Sequence, residues 1–133
     1  MTSAHPPTEK TVDAAFDIVD WQEAPYDEPA DGPRLTRVTI SKRYHDAIEG
    51  TGAAEVLTAQ GEDGSGYVAS ERIVGTLDGR QGTFVIQHGG LADGTEQNTF
   101  GTVIAHSGTG ELAGLRGRAT EASHGVLRLA YTI

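Results

Sequence analysis

Residues 67–88 read YVASERIVGTLDGRQGTFVIQH, two strand-like apolar runs on either side of Asp78 and Gly79. Asp-Gly between such runs is favoured chemistry for a two-residue hairpin, because both turn positions need positive φ. With Asp78 and Gly79 as the turn, Thr76 pairs with Gln81, Ile73 with Phe84, Glu71 with Ile86 and Ala69 with His88. Tyr67, Glu71, Ile73, Phe84, Ile86 and His88 then share one face, and Arg72 must point to the other. Were the opposite face the inner one, Ser70, Arg72 and Gln87 would line the interior and suit an anionic ligand.

Outward from this hairpin the chain continues as short strand-like runs between glycine-rich turns. Residues 11–21 alternate, with Ala15, Val19 and Trp21 on one face and Phe16 and Ile18 on the other, which predicts a first strand. Residues 23–33 hold Pro25, Pro29, Gly32 and Pro33 among several acids and predict a long loop, placed to cover one end of the fold as a lid. Over 34–45, Val38, Ile40 and Tyr44 oppose Leu35, Arg37 and Thr39, and Gly50 and Gly52 punctuate the end of that strand. A strand over 55–59, a GEDGSG turn at 61–66, a second turn at 89–97 and strands over 98–106 and 126–133 follow. Four glycines in residues 107–117 oppose a stable helix there, so a loop with one helical turn is expected, with Leu112 and Leu115 plugging one end.

The reading is an all-β fold: a closed antiparallel barrel of about eight strands, wide enough to hold a small ligand and free of exposed edges. A two-sheet sandwich has the same periodicity. Residues 1–10 are expected to be disordered and 11–133 to form one domain, a usual size for a single core.

Ten Lys plus Arg against nineteen Asp plus Glu give a net charge of −9, and no basic block stands out, so neither nucleic acid nor an anionic membrane is an expected partner. The absence of cysteine excludes disulfides and thiolate chemistry and suits a reducing cytoplasm. Residues 1–10 lack the charged start and apolar core of a secretory signal, and no apolar run approaches the roughly 20 residues of a membrane helix. A soluble cytoplasmic protein is expected. Homo-oligomerisation is left open.

The stretches WQEAPYDE (21–28), ERIVGTLDGRQGTFVIQHGG (71–90) and SGTGELAGLRG (107–117) resemble a bacterial family catalogued as domain of unknown function 3224. The resemblance extends from about residue 13 to 133. It implies a barrel similar to that of allene oxide cyclase, a relative in shape of the lipocalins. It carries no reaction with it, since no allene oxide cyclase catalytic motif maps onto this chain.

Glu71 and His88 are the leading candidates for chemistry. The hairpin puts them on neighbouring strands and one face, among Ile73, Phe84 and Ile86. A carboxylate in such surroundings is expected to have a raised pKa, useful for proton transfer, with His88 as donor or carbonyl-orienting partner; a buried Glu-His hydrogen bond fixing the wall is the plainer reading. Trp21, Tyr26, Tyr67, Phe84, Ile86 and Tyr131 are the expected ligand contacts, although core packing also accounts for each aromatic singly. The five histidines, His5, His45, His88, His106 and His124, show no close ligand spacing with a carboxylate, so no metal site and no cofactor are expected. DGSG and SGTGELAG lack the context of a phosphate loop, and Ser107 and Ser123 lack a nucleophile elbow.

Two functions follow from the same cavity. One is a cofactor-independent isomerase, cyclase or lyase that folds a small apolar or amphipathic molecule, with Glu71 and His88 moving one proton. The other is a non-catalytic carrier or sensor of an apolar metabolite. A lumen filled with side chains would leave only the outer surface to act.

Overall fold

The computed structural model describes residues 8–133, in which eight antiparallel strands follow one another round a ring. They are β1 (Lys10–Asp27), β2 (Arg34–Asp46), β3 (Ile48–Gln60), β4 (Gly64–Leu77), β5 (Arg80–Asp93), β6 (Glu96–Val103), β7 (Arg116–Ser123) and β8 (Val126–Thr132). Each pairs with the next, and β8 returns to β1 through partners such as Ala14 and Leu127, so the ring closes into a barrel. A single 3-10 turn, Gly110–Leu112, is the sole helical element among the described residues. The expected disorder of 1–10 falls, for residues 1–7, outside the described residues; Lys10 already pairs with Tyr131.

The central hairpin has the expected register, with Thr76 opposite Gln81, Ile73 opposite Phe84, Glu71 opposite Ile86 and Ala69 opposite His88. Asp78 and Gly79 turn the chain with φ of 49° and 83°. Glu71, Ile73, Phe84 and Ile86 are buried, whereas Ser70, Arg72 and Gln87 are exposed. The inner face is therefore the Glu71 face.

Several expectations are corrected. First, the predicted loop over 23–33 is strand as far as Asp27, with Pro25 opposite Thr36, and the irregular hairpin tip is confined to residues 28–33. Proline is tolerated because β8 pairs only with the first part of β1, as far as Ala15, which leaves the later part as an edge with no ladder bond to lose there. Second, Val19 and Tyr26 are each an extra residue on β1 where the register shifts. The bulge at Val19 resets the alternation, so that Ile18 opposite Lys42 and Trp21 opposite Ile40 come to the same face, against the alternation expected of residues 11–21.

Third, Gly50 and Gly52 lie inside β3 instead of ending a strand. A Cβ at Gly52 would meet the Glu71 carboxylate at 2.4 Å and the Tyr44 ring at 2.8 Å. Glycine here leaves room for a buried polar group. Likewise Gly89 and Gly90 are within β5, the turn moves to Gly94-Thr95, and β6 stops at Val103, short of His106. β7 was not expected at all, since RGRATEAS offers one buried apolar residue, Ala119.

The interior divides in two. At one end Tyr44, Ile48, Ile73, Leu77, Phe84, Ile86, Val103, Leu127, Leu129 and Tyr131 form a continuous core. Leu112 and Leu115, both 1% exposed, close that end as expected. At the other end the buried residues are smaller, Val38, Ile40, Ala54, Val56 and Ala69, with Tyr67 against them.

Candidate functional site

Small side chains on β2, β3 and β4 cannot fill the ring, and a cavity of about 720 Å³ opens at their end. That is within the usual range for small-molecule sites. Its walls include Phe16, Ile18, Val38, Ile40, Ala54, Val56 and Tyr67; Lys42 and His88 also line it, and Asp17, Trp21, Glu23, His45, Thr58, Gln60, Glu121 and His124 are among the remaining lining residues.

Glu71 sits behind Lys42 and His88. Its side chain has no exposed surface and does not line the cavity. One carboxylate oxygen, Oε1, accepts from Lys42 Nζ at 2.8 Å, and Oε2 accepts from the Tyr44 hydroxyl at 2.5 Å. His88 Nε2 stands 3.6 Å from Oε1, beyond hydrogen-bond length but within reach of its charge. Nε2 is buried with no hydrogen-bond partner among the described residues. The other ring nitrogen, Nδ1, lies 3.3 Å from the Tyr67 hydroxyl, and the two rings meet edge to face with centroids 5.7 Å apart.

This arrangement overturns the expected direction of the Glu71 pKa. Burial does penalise its charged form, but His88, the Lys42 ammonium and the Tyr44 hydroxyl together outweigh that and hold the carboxyl below its ordinary value. Glu71 is thus an ionised counter-charge. Tyr44 moves the opposite way: burial first, then the adjacent Glu71 charge, pushes its phenol far above the ordinary value. Lys42 also lies over the Phe16 ring, 4.4 Å from its centroid, a contact that favours the ammonium form.

Of the expected site residues, Glu71 and His88 come together, and Tyr67 joins them through His88. Trp21 lines the cavity and is about half exposed. Tyr26 does not line it, because the register shift leaves it as an outward extra residue, 59% exposed. Phe84, Ile86 and Tyr131 are also corrected: all three belong to the packed end, and none lines the cavity. The Tyr131 hydroxyl instead donates to Asp78, which also pairs with Lys10 at 3.0 Å.

Lys42 and Tyr44 are the members of this candidate site that the sequence reading omits. The signal was present: Lys42 falls in phase with Val38, Ile40 and Tyr44, and a lysine on a buried face needs a partner. Among the described residues no group of three or more His, Cys, Asp or Glu is placed to hold a metal ion. Among the described residues no helix is long and apolar enough to cross a membrane.

Fold and site together define an all-β protein, a ring of eight antiparallel strands packed at one end and hollow at the other. Residues 12–133 match the protein family of unknown function DUF3224, and the chain belongs to that family. Its structure is similar to the crystal structure of a DUF3224 protein of unknown function from Shewanella oneidensis MR-1. The two are 31% identical with a TM-score of 0.80, over 95% of this chain and 98% of that one. No curated protein matches the chain.

Proposed function

We propose that this protein is a small-molecule-binding barrel, of the lipocalin and allene oxide cyclase kind in shape, that takes an apolar or amphipathic molecule into its open end. The observation that carries the reading is the division of the interior: a ring needs side chains to fill it, and here one end is left hollow by small side chains such as Ala54 and Val56. Polar groups converge on this space and are held from behind by Glu71, the pattern of a site that orients a ligand. Binding without catalysis is the better supported form, because an ionised, ion-paired Glu71 with no surface in the cavity is a poor proton acceptor for a ligand. The same proposal places a cysteine-free chain in the reducing cytoplasm.

The enzymatic reading, a cofactor-independent isomerase, cyclase or lyase, keeps one observation in its favour. His88 lines the cavity, and its Nε2 is buried without a hydrogen-bond partner among the described residues, 3.6 Å from Glu71, so the ring stands between a ligand and a carboxylate.

Trp21 is the single tryptophan and lines the cavity, so it reports occupancy. Titration with the neutral fluorophore N-phenyl-1-naphthylamine should give saturable energy transfer from Trp21. Absence of saturable binding would remove the proposal.

A further inference from the structure

The charges around the cavity select among amphipathic ligands. Three carboxylates line it, Asp17, Glu23 and Glu121, and among the described lining residues Lys42 is the one lysine or arginine. That single positive charge is already matched by Glu71 at 2.8 Å. An ammonium has three N–H donors. One goes to Glu71, the Phe16 ring lies over another side, and no further acceptor among the described residues meets it. Lys42 can therefore still offer a hydrogen bond, but it has no uncompensated charge to offer.

A ligand carboxylate would have to share Lys42 with Glu71, setting two anions on one cation in a poorly hydrated floor, and would enter past three more carboxylates. Two anions on one cation repel strongly where water is excluded, as at Lys42. The three rim carboxylates are exposed, with Glu23 beside Arg34 and Asp17 beside His45, and add a weaker, screened repulsion. The field of Glu121 reaches inward, since after burial it contributes to raising the phenol pKa values of both Tyr44 and Tyr67. A neutral oxygen acceptor meets none of these penalties and satisfies the spare donor.

We propose that the cavity takes uncharged molecules with an apolar body and a carbonyl-type oxygen at the deep end, and rejects carboxylates of the same size, an inference that rests on its being a ligand site. Glu71 and Glu121 are then specificity-determining residues: Glu71 cancels the charge of the donor, and Glu121 guards the approach.

The test is displacement of N-phenyl-1-naphthylamine at neutral pH and low salt by two molecules of equal chain length, decan-2-one and decanoate. The ketone should displace the probe at a concentration lower by about ten-fold or more, the size expected for one uncompensated charge contact. Glu71→Gln, which frees the charge of Lys42, should reverse the preference. Because that variant removes a buried partner and can fail to fold, Glu121→Gln serves as the second: it should lower the concentration at which decanoate displaces the probe, narrowing the gap to the ketone by about two-fold. Decanoate displacing the probe as well as the ketone, or the ketone failing to displace a bound probe, overturns the selectivity while leaving a binding cavity in place. Failure of the probe itself to bind overturns both.

Discussion

The two ends of the ring are built from the same strands, yet they differ in what their side chains do. β2 contributes Tyr44 to the packed end and Val38 to the hollow one; β4 contributes Ile73 and Leu77 to the first and Ala69 to the second. At the packed end, Phe84, Leu112 and Leu115 leave almost no exposed surface, and most of the apolar stabilisation resides there. At the hollow end alanine and valine hold the wall while leaving space within it. Between them lies the Lys42, Tyr44 and Glu71 group, polar on one side of the boundary and packed on the other. On the proposed reading, stability and binding belong to different lengths of the same strands, and substitutions should separate them.

The largest effect belongs to the packed end. Phe84→Ala should destabilise the protein by about 3–5 kcal/mol in urea unfolding, from lost burial plus the cavity left behind, while probe affinity stays within two-fold. A comparable loss of affinity would mean that the two ends are not independent.

At the boundary, Lys42→Met should cost about 3–5 kcal/mol, because it strands the Glu71 carboxylate without its cation. Adding Glu71→Leu to it should recover most of that stability. No recovery would show that the pair does more than neutralise itself.

The same pair sets a pH dependence. The folded-state pKa of Glu71 lies below its unfolded value near 4.5, so its contribution is fully present above that pH and is lost as pH falls through the folded value. Acid unfolding of Glu71→Gln should therefore be shallower below pH 4.5 than that of the parent chain. An identical acid limb in both would show that Glu71 is not held ionised.

The smallest effect is at the far rim of the packed end, where Tyr131 donates to Asp78. Burial, with the Asp78 contact, pushes the Tyr131 phenol up to about 12. Tyr131→Phe should cost about 1 kcal/mol and leave binding untouched. Since the folded pKa is raised, the hydroxyl's contribution holds below the unfolded value near 10 and is lost as pH rises through about 12.

How far the sequence disclosed this division depends on which physical signal each residue carries. Asp78-Gly79 requires one turn geometry, and a two-residue period follows from it without ambiguity, so the face holding Glu71, Phe84 and His88 was legible. Pro25 was misread because its tolerance depends on β8 ending its pairing at Ala15, a tertiary fact with no local trace. The bulge at Val19 was equally silent, and it alone brings Trp21 into line with Ile18. A shared face is legible for Phe84 and Ile86 but their height along the ring is not, and Tyr131 reads as a ligand contact from its residue type alone, so all three are misassigned to the cavity. Which end is filled is decided by Leu112 and Leu115, brought in from a loop distant in sequence. Lys42 had a readable signal, a charge in phase with apolar neighbours, but its partner 29 residues away was visible only once β2, β3 and β4 were laid side by side.

Val56→Phe tests the division most directly. Val56 lines the cavity opposite Ala69, so a larger ring there has open space to occupy instead of neighbours to displace. Unfolding and N-phenyl-1-naphthylamine binding are measured on the same preparation. Stability should change by about 1 kcal/mol or less, while energy transfer from Trp21 to the probe falls at least ten-fold. Unchanged binding in a folded Val56→Phe protein, or loss of stability as large as that of Phe84→Ala, would contradict the assignment of the hollow end to a ligand.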